Sequence, residues 1–379
     1  MHFIRDEVEP GNPVYDMLGI RRFAGQVLNK DLSKAPIEIS DLKFQNFVKE
    51  IFFDSDTHMG ILSGAPSDDL AEWFLTNDQM ALARQVVNEA SGSKRLLAHS
   101  IITPGQPGWL EEMDRCIETV KPDSWKGYTV GNPNHPSDYR WRLDDEKLLY
   151  PAYEKMMQSG IRNICIHKGL LPAGADAEAR AHAGVDDVGK AARDWPEINF
   201  IIYHAAYNVL MPTADHMKRL EEEAYVEWVS DLAAIPETFD VSNVYAEIGS
   251  SFGIAAVMQP QFCAAMLGTL IRSMGAENVF WGTDSVWYGS PQWQIEAFRR
   301  IEIPEDMQKK HGFAPLGPAD GPVKAGILGL NSARHYGLDV PALQKTFSQD
   351  TLAQAKAEYQ AAGEDRSNLA YGFVDNRKI

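Results

Sequence analysis

Short apolar runs recur along this chain, each ending in polar residues, with longer stretches of helical periodicity between them. "EIFFDSD" at 50–56 opens the series, and "RLLAHSIITP" (95–104), "WKGYTV" (125–130) and "IRNICIHKG" (161–169) follow. "INFIIYHAA" (198–206), "NVYAEIGS" (243–250) and "NVFWGTDS" (278–285) complete it. Between them "PGWLEEMDRCIETV", "DDEKLLYPAYEKMMQSG" and "VDDVGKAARDWP" place apolar residues at helical spacing and are bounded by Pro, Gly or Asp. Near-continuous apolar strands separated by helices predict a parallel sheet covered on its faces. Seven strands can be named, and an eighth has room between 60 and 90. The count predicts a (β/α)8 barrel, a fold of about 250 residues, with N- and C-terminal helical extensions. A doubly wound open sheet is the alternative, and no GxGxxG or GxxxxGK[ST] follows any of the strands.

The barrel is expected over 46–340. Residues 1–45, punctuated by Pro10, Gly11, Pro13 and Pro36, read as an N-terminal extension with a short helix near 14–28. Residues 341–379, including "PALQKTFSQDTLAQAKAEYQAAG", read as a C-terminal helical extension packed outside the barrel.

Polar residues cluster at the ends of these runs, where a barrel carries its catalytic groups. Asp56 and His58 follow the first run, His167 the fourth, His204 the fifth and Asp284 the last. Asp56 and His58 are two apart, so on a strand they would face one side together. Imidazoles and carboxylates converging from several strands form a ligand set for a divalent metal such as Zn, Mn or Fe. Each residue alone also has a plain structural role, a loop hydrogen bond or a helix cap. Repetition at the same end of successive strands favours a shared site.

Charge narrows the partners. There are 36 basic and 53 acidic residues, a net charge of −17. Nucleic acid is therefore not expected as a partner, since affinity for it comes mainly from Lys and Arg. Three cysteines in no CxxC pattern point to a reducing compartment. The opening "MHFIRDEVEP" lacks the apolar core of a signal peptide, and no run of roughly 18 apolar residues could span a membrane. The expectation is a cytoplasmic protein with a small-molecule substrate, the terminal extensions being natural places for a homodimer contact.

The order "DSDTH", "CIHKG", "IIYHAA", "FWGTDS", with the closing "KAGILGLNSARHYGL", resembles the amidohydrolase superfamily, in particular its amidohydrolase-2 branch of aminocarboxymuconate semialdehyde decarboxylase-like enzymes. Over roughly 46–340 the resemblance implies a metal-dependent barrel holding one or two divalent ions. His58, His167 and Asp284 would be ligands, and His204 a second-metal ligand or the acid/base group. Asp284 would orient or deprotonate a water. Asp56 stands where the family usually has the first His of an HxH pair, which gives a variant D-x-H set suited to Mn or Fe. Lys126 lies near where binuclear members carry a carbamylated lysine, Glu247 could bridge metals or bind substrate, and His99 reads as a buried histidine that is either structural or a support for the metal ligands, with all three kept as secondary candidates for the site. Lys168 directly follows His167, and Trp281, Trp287 and Tyr288 flank Asp284 as candidate pocket walls. The implied reaction is hydrolysis of a small organic substrate by an activated water. Non-oxidative decarboxylation and di-iron oxygenation on the same fold are the alternatives. Few basic anchors accompany the site beyond Lys126, Lys168 and Arg95, so a highly phosphorylated substrate is not expected.

Overall fold

The computed structural model of the chain describes residues 1–9, 11–171 and 174–363. Seven parallel strands lie in sequence order: β1 Gly60–Leu62, β2 Leu96–Ile101, β3 Ser124–Tyr128, β4 Asn163–His167, β5 Asn199–Tyr203, β6 Val244–Glu247 and β7 Val279–Phe280. A doubly wound sheet would reverse its strand order at a switch point, and this sheet never does. It curls as in a TIM barrel. Helix α1, Met17–Val27, precedes the sheet. The crossovers are α2 Asn77–Ser91, α3 Trp109–Arg115, α4 Tyr150–Ser159, α5 Val188–Asp194 and α6 Val229–Phe239. After β6 come α7 Ser251–Met258 and α8 Pro260–Met274, and after β7 comes α9 Gln292–Arg300.

Strand pleating sorts the side chains. Ile164, Ile166, Phe200 and Ile202 point outward into the core shared with the covering helices. Their alternates Cys165, Ile201 and Tyr203 cluster with Phe280 and Tyr245 inside the curl. The register sets Tyr128, His167 and Tyr203 side by side at one level.

The first expected strand is not one. Lys49–Phe53 form a π-helical turn continuing the short helix Phe44–Val48. A short apolar run reads equally as buried strand or buried helix. Here Ile51 and Phe52 are buried with Phe47, and Glu50 pairs with Arg21 of α1 at 2.6 Å. The strand itself lies later, at "GIL", within the 60–90 interval left open for a missing strand.

β1 and β7 do not pair with each other. The first residues of the sequence run between them. Met1 O accepts from Ser63 N at 2.8 Å, His2 N donates to Ser285 O at 2.7 Å, and Val286 N donates to His2 O at 3.1 Å. Phe3 and Ile4 are buried in the same cluster as Leu62 and Val286. Met1–Ile4 thus take the eighth position of the barrel.

The expected C-terminal helices are α10 Val340–Phe347 and α11 Thr351–Ala361; residues 364–379 of that extension lie outside the described residues. Arg95, at the start of β2, reaches Asp350 at 2.7 and 2.8 Å, Phe347 O at 2.8 Å and His58 O at 2.9 Å. It therefore holds both helices against the barrel. Cys116, Cys165 and Cys263 are free and buried. Among the described residues no helix is long and apolar enough to cross a membrane.

Candidate active site

His167 is the last residue of β4, and His204 directly follows β5. Ser250 lies between β6 and α7, Asp284 follows β7, and His2 enters from the segment beside β7. All belong to the C-terminal side of the sheet, where a barrel collects function. Three have positive φ: His204 at 64°, Ser250 at 55° and Asp284 at 56°. Such conformations cost of order 1–3 kcal/mol in non-glycine residues and persist where the surroundings over-determine them, commonly at functional sites.

The contacts define two linked pairs. His204 Nδ1 donates to Gly249 O at 2.8 Å, because a carbonyl can only accept. His204 Nε2 therefore accepts, and His167 Nδ1 lies 3.0 Å from it. The second pair is His2 Nε2 and Asp284 Oδ1, 2.9 Å apart. Asp284 Oδ2 accepts from Ser250 Oγ at 2.6 Å, so Tyr288 OH, 3.0 Å from Ser250 Oγ, is the donor of that next bond. Tyr128 stacks on His167 and Trp287 on His2.

Burial lowers the imidazoles, His204 to about 4 and His167 well below its ordinary value. His2 is lowered by the same cause. All three are neutral near pH 7 and offer ring lone pairs. Burial alone would raise the Asp284 carboxyl, but His2 and then His204 hold it well below the usual range, so it is a carboxylate. One pair of glycines makes room beneath. Glu247 Oε1 packs against Gly249 and Gly282, and a Cβ on Gly282 would sit 1.3 Å from it. Glu247 Oε2 accepts from His204 N at 3.2 Å, and burial raises this carboxyl.

Of the residues read from the sequence, His167, His204 and Asp284 come together, with Glu247 directly under His204. Asp56 and His58 do not join them. Both precede the N-terminal end of β1, whereas the other three lie at or after strand C-termini. Asp56 is bound by Gln292 Nε2 at 3.0 Å and Arg299 at 2.8 Å, and His58 stacks on Phe347. The displaced strand is the reason: an acid-imidazole pair expected at the end of a first strand sits instead after a helical turn. His99 is buried and bonded to Ser124 Oγ at 2.7 Å and Tyr203 OH at 3.0 Å. Lys126 is buried with its Nζ 3.6 Å over the Tyr203 ring, and burial lowers it. Lys168 turns outward to Asp187 at 2.8 Å. Trp287 and Tyr288 line the cavity, whereas Trp281 packs against Phe252 and Phe298. His2, Ser250 and Tyr288's bond to Ser250 were not read from the sequence. The signal for His2 was the apolar run "MHFI", a fragment of the strand-plus-histidine pattern too short to stand out.

A cavity of about 410 Å³ opens over His2, His167, His204, Ser250 and Asp284. Among the described residues no three His, Cys, Asp or Glu side chains form a ready-made cation site. The donors nevertheless fit one in pairs. His2 Nδ1 is buried without a partner, and His204 shows the back-bonding to a carbonyl that orients metal-ligating imidazoles. The 3.0 Å separation of His167 Nδ1 and His204 Nε2 is near that of two nitrogens each about 2.0–2.1 Å from one ion.

One solved structure shares this architecture, and others align more loosely. An uncharacterised TIM-barrel protein from Bordetella bronchiseptica superimposes with a TM-score of 0.55 at 15% identity, over 92% of this chain and 98% of that one. A 2,6-dihydroxybenzoate decarboxylase from Rhizobium aligns with a TM-score of 0.49 at 13% identity, over 89% and 97%. A probable 2-pyrone-4,6-dicarboxylic acid hydrolase from Acinetobacter baumannii gives 0.48 at 12%, over 83% and 95%. No curated protein sequence matches the chain. Residues 68–338 match the amidohydrolase model Amidohydro_2, which spans most of the chain, its strands β2–β7, His167, His204 and Asp284. The chain belongs to the amidohydrolase family.

Proposed function

We propose that the protein is a metal-dependent hydrolase of a small organic ester, lactone or amide. The observation that carries this reading is the ionised Asp284, fixed by His2 and Ser250 beside the neutral His167–His204 pair at the floor of one cavity. His167 and His204, with Asp284 and His2, would hold a divalent cation. The chemistry such an ion supplies is a water acidified from 15.7 to about 7 and a polarised carbonyl. Asp284 takes the proton of the attacking water and returns it to the leaving group. Ser250, itself held by Tyr288, fixes the direction of that carboxylate, and Glu247 holds the backbone of His204. Aromatic walls exclude bulk water from the reacting bond. The oxygenase alternative draws on Asp56, Glu247 and several histidines as ligands for two irons, and of these Asp56 lies before β1, bonded to Arg299.

The test measures hydrolysis of aryl esters and lactones, with elemental analysis of the purified protein. Asp284→Asn is expected to lower kcat/KM by about 10²–10⁴-fold, the range for losing a general base, with an unchanged circular dichroism spectrum. Wild-type turnover by that variant, or consumption of O2 during turnover, defeats the reading.

A further inference from the structure

We infer that the cavity selects an uncharged, ring-bearing substrate over a carboxylate, an inference resting on the hydrolytic reading only for the identity of the reacting bond. Phe74, Tyr128, Trp287 and Tyr288 form aromatic walls above the polar floor. Met17, Ile20 and Phe23 extend the apolar surface to the mouth from one face of α1, at helical spacing. No Lys or Arg lines the cavity among the described residues. Four basic groups of the barrel and α1 are engaged elsewhere. Lys126 lies over the Tyr203 ring, Lys168 pairs with Asp187, Arg95 with Asp350, and Arg21 of α1 with Glu50.

The fixed charges among the lining side chains are acidic, and a cation held at the floor would lie on the side of the reacting carbonyl. Asp284 lies at the floor and Asp16 at the mouth, the latter 3.6 Å from His135 Nε2. A substrate carboxylate on the far side of a ring from the reacting carbonyl would meet apolar wall with no partner, and burying a charge without compensation is unfavourable. An uncharged ring in the same place gains by burial and by stacking with Tyr128 or Trp287. The cavity volume lies in the range that encloses a small-molecule ligand.

The experiment uses two matched pairs on the purified protein. Acetophenone and 4-acetylbenzoate, which carry no hydrolysable bond, are titrated calorimetrically. Phenyl acetate and 4-acetoxybenzoate are compared by kcat/KM. Acetophenone is expected to bind more tightly than 4-acetylbenzoate by on the order of tenfold or more, with the same order in the esters. Ile20→Arg, which places a cation at the mouth, is expected to narrow both gaps. Equal or tighter binding of 4-acetylbenzoate overturns the inference, and so does failure of both ketones to bind at millimolar concentration. Preference for acetophenone with no turnover of either ester upholds the substrate class and defeats the hydrolytic reading.

Discussion

Glu247 shows how one side chain can dictate both a neighbour's identity and another's conformation. Its Oε1 occupies the space a Cβ on Gly282 would need, and its Oε2 accepts from the backbone of His204. That bond helps hold His204 at a φ of 64°, and so aims the ring at His167. The glycine of "WGTDS" is thus a cradle for a carboxylate rather than a hinge. Gly282→Ala is expected to push Glu247 off the His204 amide, with an overpacking cost of about 1–3 kcal/mol and a fall in turnover beyond what the stability loss explains. Thermal unfolding and steady-state hydrolysis check this together. A variant within about 0.5 kcal/mol of wild type would mean that the Glu247 carboxylate relocates freely. His167, His204 and Asp284 were legible in the sequence because each lies at or just after the end of an apolar run. Glu247 was legible as a strand residue, but its cradle was not, since Gly282 meets it only across from the neighbouring strand β7.

At the scale of elements, the strands β2–β7 and their crossovers follow the sequence periodicity, and the error at the first strand has a physical origin. "IFF" packs just as well on a helical turn when Glu50 has Arg21 to pair with, and the pattern alone cannot show that partner. Arg95 then makes the region after that turn part of the barrel's closed end. It bonds the His58 carbonyl, the end of α10 and Asp350 before α11, and its guanidinium lies 4.0 Å over the Phe347 ring. Both charged side chains are nearly enclosed, 5% and 3% exposed. Arg95→Ala would leave Asp350 buried without its partner, a loss of about 3–5 kcal/mol visible in urea unfolding. Burial would raise the Asp350 carboxyl, but hydrogen bonds from Arg95 and Ser93 hold it below its ordinary value. The folded value is therefore the lower one. The stabilisation is complete above the unfolded value of about 3.9 and is lost as pH falls through the folded value. The stability gap between wild type and Asp350→Asn is expected to close over that acid range. A gap that stays constant there would show that the carboxylate contributes no charge-dependent stability.

For the whole molecule, the decisive element is the least conspicuous in the sequence. Seven strands leave a gap between β1 and β7, and an open parallel edge presents unpaired N–H and C=O groups that invite association. Met1–Ile4 fill it with hydrogen bonds to Ser63 on one side and to Ser285 and Val286 on the other. The same segment delivers His2 to Asp284 at 2.9 Å, so closing the barrel and completing the site are one event. Periodicity could not announce this, because four residues are too few to show an alternation and their partners lie about 60 and 280 positions away. The two roles separate by mutation. His2→Ala keeps the closing backbone bonds and is expected to fold cooperatively, while turnover falls about 10–100-fold as Asp284 loses its partner. Deleting residues 2–5 removes the bonds and the buried Phe3 and Ile4 side chains, each worth about 1.5–3 kcal/mol. That variant is expected to melt at markedly lower temperature and to scatter light on standing, as an exposed edge would. Circular dichroism melting with light scattering distinguishes the two, and a deletion variant that melts like wild type would show that the barrel closes without this segment.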